Sequence, residues 1–157
     1  MKKYILLLIA AGLLCNCQTK QDKTFNFAMY GEILSLDTKS GIISIKYLKG
    51  RQSFKFKLTK TEMDKIQKLY LSKHLDKLPD NYESTCKVFS IPNTDKRFII
   101  YFNGKKKTFM YNYFYEYKDM DSTIVQENIK YFRDSVEKIL DDNKELEKIK
   151  PSDIIRM

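Results

Sequence analysis

The chain has no tryptophan, one histidine and three cysteines among its 157 residues. One histidine and so few thiols leave too few ligands for a zinc site of the usual kind. No stretch rich in proline, glycine or serine interrupts the chain, and 43% of its residues are apolar. The composition therefore excludes a wholly disordered chain and predicts one folded domain preceded by a short leader.

Arginine is also scarce. The formal net charge of +9 comes from 25 Lys and only 4 Arg, against 20 acidic residues. Phosphate groups in nucleic acids are best recognised by the bidentate fork of arginine. The basic charge therefore indicates a solvated, lysine-rich surface, and we expect no nucleic-acid partner.

The leader has the layout of an export signal. Lys2 and Lys3 precede an apolar run of 11 residues, 4–14, and the polar stretch 18–23 follows two cysteines. The apolar run fits the ~7–15 residues of a secretory signal and is shorter than the ~20 needed to cross a bilayer. This arrangement predicts export, and it leaves Cys86 as the only thiol of the folded domain, which excludes a disulfide scaffold.

The junction Leu14-Cys15-Asn16-Cys17 resembles the lipobox of bacterial lipoprotein precursors, in which an aliphatic residue and two small residues precede the lipidated cysteine. The resemblance implies a diacylglycerol on Cys17, with Cys15 as runner-up, and cleavage by signal peptidase II. An ordinary cleaved signal is the alternative. Several acyl chains would anchor the domain stably. Gln18 is not the aspartate that retains such proteins at the inner membrane, so we expect an outer-membrane protein facing the periplasm.

The pattern after the leader begins with strands. The runs 29–36 and 42–48 are apolar and β-branched, and 53–58 alternates between apolar and polar residues. Gly41 fits the positive φ of a turn, and Lys49-Gly50 forms a second turn. Asn103-Gly104 between the apolar runs 98–102 and 108–113 is a hairpin signal. A further short strand is predicted at 86–91. Alternation of this kind indicates an antiparallel sheet with one solvated face.

Two helices are predicted. Thr59 with Glu62 forms a capping box, after which an apolar row at helical spacing runs towards Pro79. The second helix starts at 119–122 and continues to about Lys148. The fold class predicted is α+β, with five to six antiparallel strands in the order βββα-ββ(β)-α and both helices on one face. The expected segments are a signal peptide 1–16, a polar tether 17–24, one domain 25–150 and a tail 151–157. This order is similar to that of small uncharacterised lipoproteins of Gram-negative bacteria, a group that implies no activity.

Two candidate binding features remain. The segment 38–61 carries basic residues and no acid: Lys39, Lys46, Lys49, Arg51, Lys55, Lys57 and Lys60. Such a patch suits anionic lipid or glycan, or it only keeps a sheet face soluble. The segment 98–117 is rich in Phe and Tyr. Tyrosine is favoured at half-wet interfaces, and the alternative is a core strand with tyrosine hydroxyls at its edge. The residues predicted to bind a partner are Tyr111, Tyr113, Tyr115, Tyr117, Lys105 and Lys106, at and behind a hairpin tip formed by Lys105, Lys106 and Lys107.

Catalytic signatures are weak. His74 lies in a Lys-flanked stretch typical of a helix surface, and nothing around Cys86 matches a nucleophile motif. Asp119 and Asp121 carry the negative charge that is favourable at a helix N-terminus. Asp141 and Asp142 are adjacent in sequence, whereas a glycosidase needs two carboxylates from separate elements. We therefore expect no catalytic residues, no metal and no cofactor.

Three function classes follow from these features. The favoured one is a non-catalytic envelope lipoprotein that binds or scaffolds an envelope protein or an anionic lipid or glycan. An inhibitor or immunity-type lipoprotein that blocks a protein partner is the first alternative. A hydrolase is the second alternative, for which the sequence offers least. An exposed Tyr/Lys surface favours the first two, and a concave pocket that gathers His74 or Cys86 with carboxylates favours the third.

The lipobox assignment predicts an asymmetry between the two leader cysteines. Cys17→Ser should release the protein from the membrane fraction or leave an uncleaved precursor, because the acceptor of the acyl group is lost. Cys15→Ser, the matched control, should leave processing and membrane attachment unchanged. Fractionation and metabolic acyl labelling measure both. The reverse pattern would move the lipid to Cys15, and no effect from either substitution would exclude the lipoprotein hypothesis.

Overall fold

The computed structural model describes residues 24–47, 49–83, 96–111 and 120–149, with the backbone alone at 111 and 120–123. The predicted strand at 86–91 lies outside these ranges. The strands are β1 (Asn26–Tyr30), β2 (Leu34–Asp37), β3 (Ile42–Tyr47), β4 (Gly50–Lys55), β5 (Asn81–Tyr82), β6 (Lys96–Phe102) and β7 (Lys105–Tyr111). The helices are α1 (Lys60–Ser72), a 3-10 turn (Leu75–Lys77), α2 (Met120–Asp141) and α3 (Lys144–Ile149).

The strands form one sheet in the order β4-β3-β2-β1-β6-β7-β5. Neighbours are antiparallel except β5, which pairs parallel to β7. The predicted α+β class is therefore confirmed. The prediction of five to six antiparallel strands is wrong, because the described ranges hold seven strands in a mixed sheet. The two residues of β5 are too few for a period-2 pattern to reveal.

A turn divides the run 29–36, which the sequence predicts as a single strand. Gly31 donates its N–H to the Leu34 carbonyl at 3.0 Å, and β1 and β2 pair as a hairpin around it. A Cβ at Gly31 would lie 3.1 Å from that carbonyl oxygen, so the close approach favours glycine. The predicted turns at Gly41 (φ 67°) and Asn103-Gly104 (φ 52° and 71°) are confirmed.

One face of the sheet carries the core, and both long helices pack on it, as predicted. The buried strand residues of this face are Phe27, Met29, Leu36, Ile43, Ile45, Tyr47, Phe98, Ile100 and Phe109, and the small Ala28 is buried on the opposite face. Phe132 of α2 lies with its ring centroid 5.3 Å from Phe98, 5.8 Å from Phe109 and 6.4 Å from Tyr70 of α1. Burial, reinforced by Asp76 and Asp80, raises the pKa of Tyr70, so its hydroxyl stays neutral inside this cluster.

Helix α1 begins at the predicted capping box but ends seven residues before Pro79. The N–H groups of Lys73 and His74 donate to the carbonyls of Leu69 and Leu71, and His74 takes a left-handed conformation with φ of 56°. A residue in this conformation stops a helix. The apolar row continues nevertheless, because the 3-10 turn places Leu75 back in the core.

A break at Asn143 separates α2 from α3, where the sequence predicts one helix to about Lys148. The side-chain oxygen of Asn143 accepts the N–H groups of Glu145 and Leu146 at 3.0 and 3.1 Å, as an N-cap does. Its side-chain nitrogen donates to Glu62 at 2.9 Å. Asn143 therefore starts α3 and joins it to the start of α1. Within the described ranges no helix is both long and apolar enough to cross a membrane.

Glu62 accepts hydrogen bonds with both carboxylate oxygens. One oxygen accepts from the backbone and hydroxyl of Thr59, each at 2.7 Å, and the other accepts from Asn143. Partial burial would by itself raise the pKa of Glu62, but these hydrogen bonds and the nearby Lys65 hold it below its ordinary value of 4.5. The ionised carboxylate is therefore the form that stabilises the fold.

This pKa direction predicts a pH-dependent stability. The contribution of Glu62 is full above the unfolded pKa and is lost as the pH falls through the lower folded pKa. Near neutral pH, Glu62→Gln should lower the free energy of unfolding by about 1 kcal/mol, the usual cost of a lost cap, because an amide offers only one acceptor oxygen. The difference from the parent should shrink in acid. Urea melts at several pH values measure it.

The matched control is Asp64→Asn, on the exposed side of the same helix. It should change the free energy of unfolding little, because Asp64 makes no side-chain hydrogen bond or ion pair with the described residues. A Glu62→Gln effect of equal size at all pH values would contradict the role assigned to the ionised carboxylate.

Candidate binding surface

The sheet face opposite the helices is left uncovered by them, and we refer to it as the open face. Strand alternation assigns residues to it, and the pairing of neighbouring strands aligns them in rows. One row is Lys55, Ile42, Asp37, Ala28, Ile99, Thr108 and Asn81. A second row is Ser53, Ser44, Ser35, Tyr30, Arg97 and Met110. A third, shorter row is Asn26, Tyr101 and Lys106.

Large apolar side chains lie exposed on the open face. Tyr30 is 45% exposed and Ile42 is 43% exposed. Tyr101 is partly buried, and the ammonium of Lys39 lies 5.6 Å from its ring centroid, within cation–π range. Tyrosine and isoleucine in such positions lose solvent contact favourably when another surface covers them.

Some cations of the open face are already engaged. Lys46 forms an ion pair with Glu32 at 2.9 Å. Arg51 donates to the Glu32 carbonyl at 2.6 Å and lies 3.3 Å from the Ser35 hydroxyl. Asp37 accepts from the Lys39 backbone and the Ser40 hydroxyl, both at 2.9 Å, and so closes its own turn. These contacts use both acidic residues near the face.

Other cations have no acidic neighbour. Among the described residues no carboxylate lies within ion-pair distance of Lys39, Lys55, Arg97 or Lys106. Within the described residues, no acidic side chain neutralises these four cations, so solvent ions balance their charge. Such cations are available to a partner at small desolvation cost.

Charge is divided unequally between the two layers. The segments that form most of the sheet, 24–58 and 96–111, hold eleven basic and two acidic residues. The segments that carry the helices, 59–83 and 120–149, hold ten basic and thirteen acidic residues. The net positive charge of the described domain therefore lies in the sheet, and the helix layer is weakly negative. This separation favours an anionic partner on the open face.

The residues considered for catalysis do not form a site in the described part of the chain. His74 is exposed in the turn after α1. Asp141 and Asp142 are exposed at the end of α2, while Cys86 and Asp119 lie outside the described ranges. Within those ranges no three His, Cys, Asp or Glu side chains gather as a metal site would require. Among the described residues, strand pairing aligns the side chains of the open face into a surface that the helices do not cover.

The partner-binding residues predicted from the sequence are only partly described. Lys105 and Lys106 are exposed at the start of β7. Tyr111 is the last residue of β7, and Tyr113, Tyr115 and Tyr117 lie outside the described residues, so that part of the prediction stays a prediction.

The three lysines of the hairpin tip, which a solvated turn would expose alike, differ at Lys107. It is half-buried, donates to the Leu78 carbonyl, and lies 3.4 Å from Asp80. This lysine therefore fastens β7 to the segment that precedes β5.

Sequence reasoning missed Tyr30, Ile42, Arg97 and Tyr101. The signal was present in the run 96–102, where Phe98, Ile100 and Phe102 alternate with Arg97, Ile99 and Tyr101. Both rows look apolar, so only the strand pairing shows which row the helices cover. Of the basic residues in the segment 38–61, Lys46 and Lys55 lie on the open face, Lys39 borders it from the turn after β2, and Lys57 lies beyond the end of β4.

The fold and this surface together define an α+β domain with one helix-covered sheet face and one basic, tyrosine-bearing face. No family model, no curated protein and no solved structure matches the chain. Functional inference therefore rests on the residues of the open face themselves.

The two faces of the sheet predict opposite responses to truncation. Tyr30→Ala should lower the free energy of unfolding by less than about 1 kcal/mol, because its ring is already half in water. Phe98→Ala, the comparison on the helix-covered face, should lower it by about 3–5 kcal/mol, because a fully buried ring leaves a cavity. Denaturant melts measure both. A cost for Tyr30→Ala as large as that for Phe98→Ala would mean that the open face is covered.

Proposed function

We propose that this protein is a lipoprotein of the cell envelope, anchored through Cys17 at the outer membrane and facing the periplasm, with a non-catalytic domain that binds through its open face. The observation that carries the proposal is the open face itself. Tyr30, Ile42 and Tyr101 lie among basic side chains that form no ion pair with a described acidic residue. Tyrosine and arginine are the side chains that most often dominate binding energy.

The shape of the surface supports binding rather than chemistry. The side chains of the open face stand on paired strands of regular register, and rigid elements hold binding groups more precisely than loops do. Tyrosine offers a large contact area at a small entropic cost. The unpaired cations Arg97 and Lys106 supply charge complementarity, which speeds association and selects an acidic partner.

Site-specific photocrosslinking in living cells tests the proposal. A benzoylphenylalanine replaces Tyr30 on the open face or, as the matched control, Tyr131, which is 52% exposed on α2. On irradiation we expect adducts at position 30 and none at position 131, because only the open face carries the partner. The mass of the adduct separates a lipid or glycan from a protein, and the identity of a protein adduct separates a scaffolded envelope protein from the target of an inhibitor.

Charge reversal provides the second arm of this experiment. Arg97→Glu with Lys106→Glu should remove the adduct at position 30, whereas Lys130→Glu on the exposed side of α2 should keep it. Adducts at position 131 alone, or none at position 30 in a protein that melts normally, would overturn the proposed binding surface.

A further inference from the structure

The N-terminal tether enters the domain at the end of the open face that carries Lys39 and Lys106. Strand β1 starts at Asn26, which pairs with Tyr101 of β6. Lys39 lies over the Tyr101 ring, and Lys106 is the residue that pairs with Tyr101 on β7. Lys39 and Lys106 form no ion pair with a described acidic residue. Both therefore lie near the point at which the chain from the anchor enters the domain.

We infer that the partner of the open face is the anionic lipid surface of the same membrane that holds the anchor, so that the sheet lies on the headgroups and the helices point away. This inference rests on the proposed lipidation of Cys17. It names the partner of the binding surface, which the proposed function leaves open.

The tether is too short to carry the domain away from the membrane. From Cys17 to Phe25 the chain advances eight residues, which span at most about 28 Å when fully extended. A domain of roughly 125 residues has a radius of gyration of about 14 Å, and hence a diameter of about 35 Å. The point at which the tether enters the domain therefore never lies more than about 28 Å from the lipidated residue, which is less than the diameter of the domain, and the orientation of the domain remains to be set.

Charge sets that orientation. Lys96, Lys105 and Lys107 occupy strand positions of the helix-covered face. The other eight basic residues of the sheet segments still outnumber their two acids, while the helix segments carry three more acids than bases. Each Lys or Arg close to an anionic bilayer favours the bound orientation by roughly fivefold. Because the anchor has already removed the cost of bringing the domain to the surface, even a few such cations suffice to select one face.

The apolar members of the open face fit the same surface. Tyrosine is enriched at the headgroup level of membranes, where its ring meets the acyl boundary and its hydroxyl stays in water. Tyr30 and Ile42 provide exposed apolar groups among the cations, and long lysine side chains such as Lys55 can place their charge at the phosphates. An acidic protein would use the same cations, so the experiment must separate it from lipid.

Tryptophan fluorescence tests the orientation without background, because the chain contains no tryptophan. The full lipidated protein carries either Tyr30→Trp on the open face or Tyr131→Trp on the helix layer, at similar exposures of 45% and 52%. Each variant is placed in vesicles of phosphatidylcholine alone or mixed with phosphatidylglycerol, with a spin-labelled lipid that quenches near the headgroups. Ile42→Trp serves as a second reporter for the open face.

We expect loss of emission from Tyr30→Trp and Ile42→Trp in the anionic vesicles and none from Tyr131→Trp. High salt should restore the emission, because it screens the attraction. Lys55→Glu, Arg97→Glu and Lys106→Glu together should also restore it, since three reversed charges shift the orientation by on the order of a hundredfold or more. Lys130→Glu, the control on α2, should leave the quenching unchanged.

Two results overturn the inference, and the second of them also overturns the proposed lipoprotein. Vesicle-bound protein whose open-face reporters stay bright, or whose Tyr131→Trp reporter is the one quenched, excludes the lipid surface as partner and leaves the proposed lipoprotein and its binding surface standing. Protein that carries no acyl chain and does not float with the vesicles overturns the anchor, and with it both proposals.

Discussion

The ring of Phe132 is the contact on which the two layers of this protein depend. It meets Phe98 and Phe109 of the sheet edge-on, and it meets Tyr70 of α1 in the same manner. Edge-to-face arrangements of this kind add to the stabilisation that burial already gives. Phe132 belongs to α2 and contacts both the sheet and α1. Its ring therefore helps to fix the position of each helix on the sheet.

Covering one face leaves the side chains of the other face outside the core. The two long helices pack on one face of the sheet, and the opposite face keeps its serines, lysines and tyrosines in register across the paired strands. Strand pairing thus brings together, on one surface, residues that are far apart in sequence and take no part in the core. The binding surface is in this sense a by-product of how the core is closed.

Local patterns in the sequence predicted most of the elements but not all of their limits. The capping box at Thr59, the turn at Gly41 and the hairpin at Asn103 are short-range features, and each is found where the pattern indicates it. The break at Asn143 depends on Glu62, which is 81 residues earlier in the chain. No local periodicity contains such a contact, so the sequence suggested an unbroken helix.

The binding surface was harder to predict for a related reason. Alternation identifies two rows on a strand, but it cannot say which row the helices will cover when both contain Ile and aromatic residues. Arg97, Ile99 and Tyr101 were overlooked because the adjacent Phe98 and Ile100 made the whole run look like core. Pairing with β1 resolves the ambiguity. Phe98 and Ile100 lie opposite Met29 and Phe27, so these four residues share the helix-covered face.

The central place of β1 in the sheet also determines how the domain bears mechanical load. Any tension transmitted along the N-terminal segment reaches a strand held by β2 on one side and β6 on the other. The Thr38 hydroxyl adds two hydrogen bonds of 2.9 Å to the Phe27 backbone near the point of entry. Pulling along β1 therefore shears two ladders at once, whereas a strand at the edge of the sheet would be held by one ladder alone.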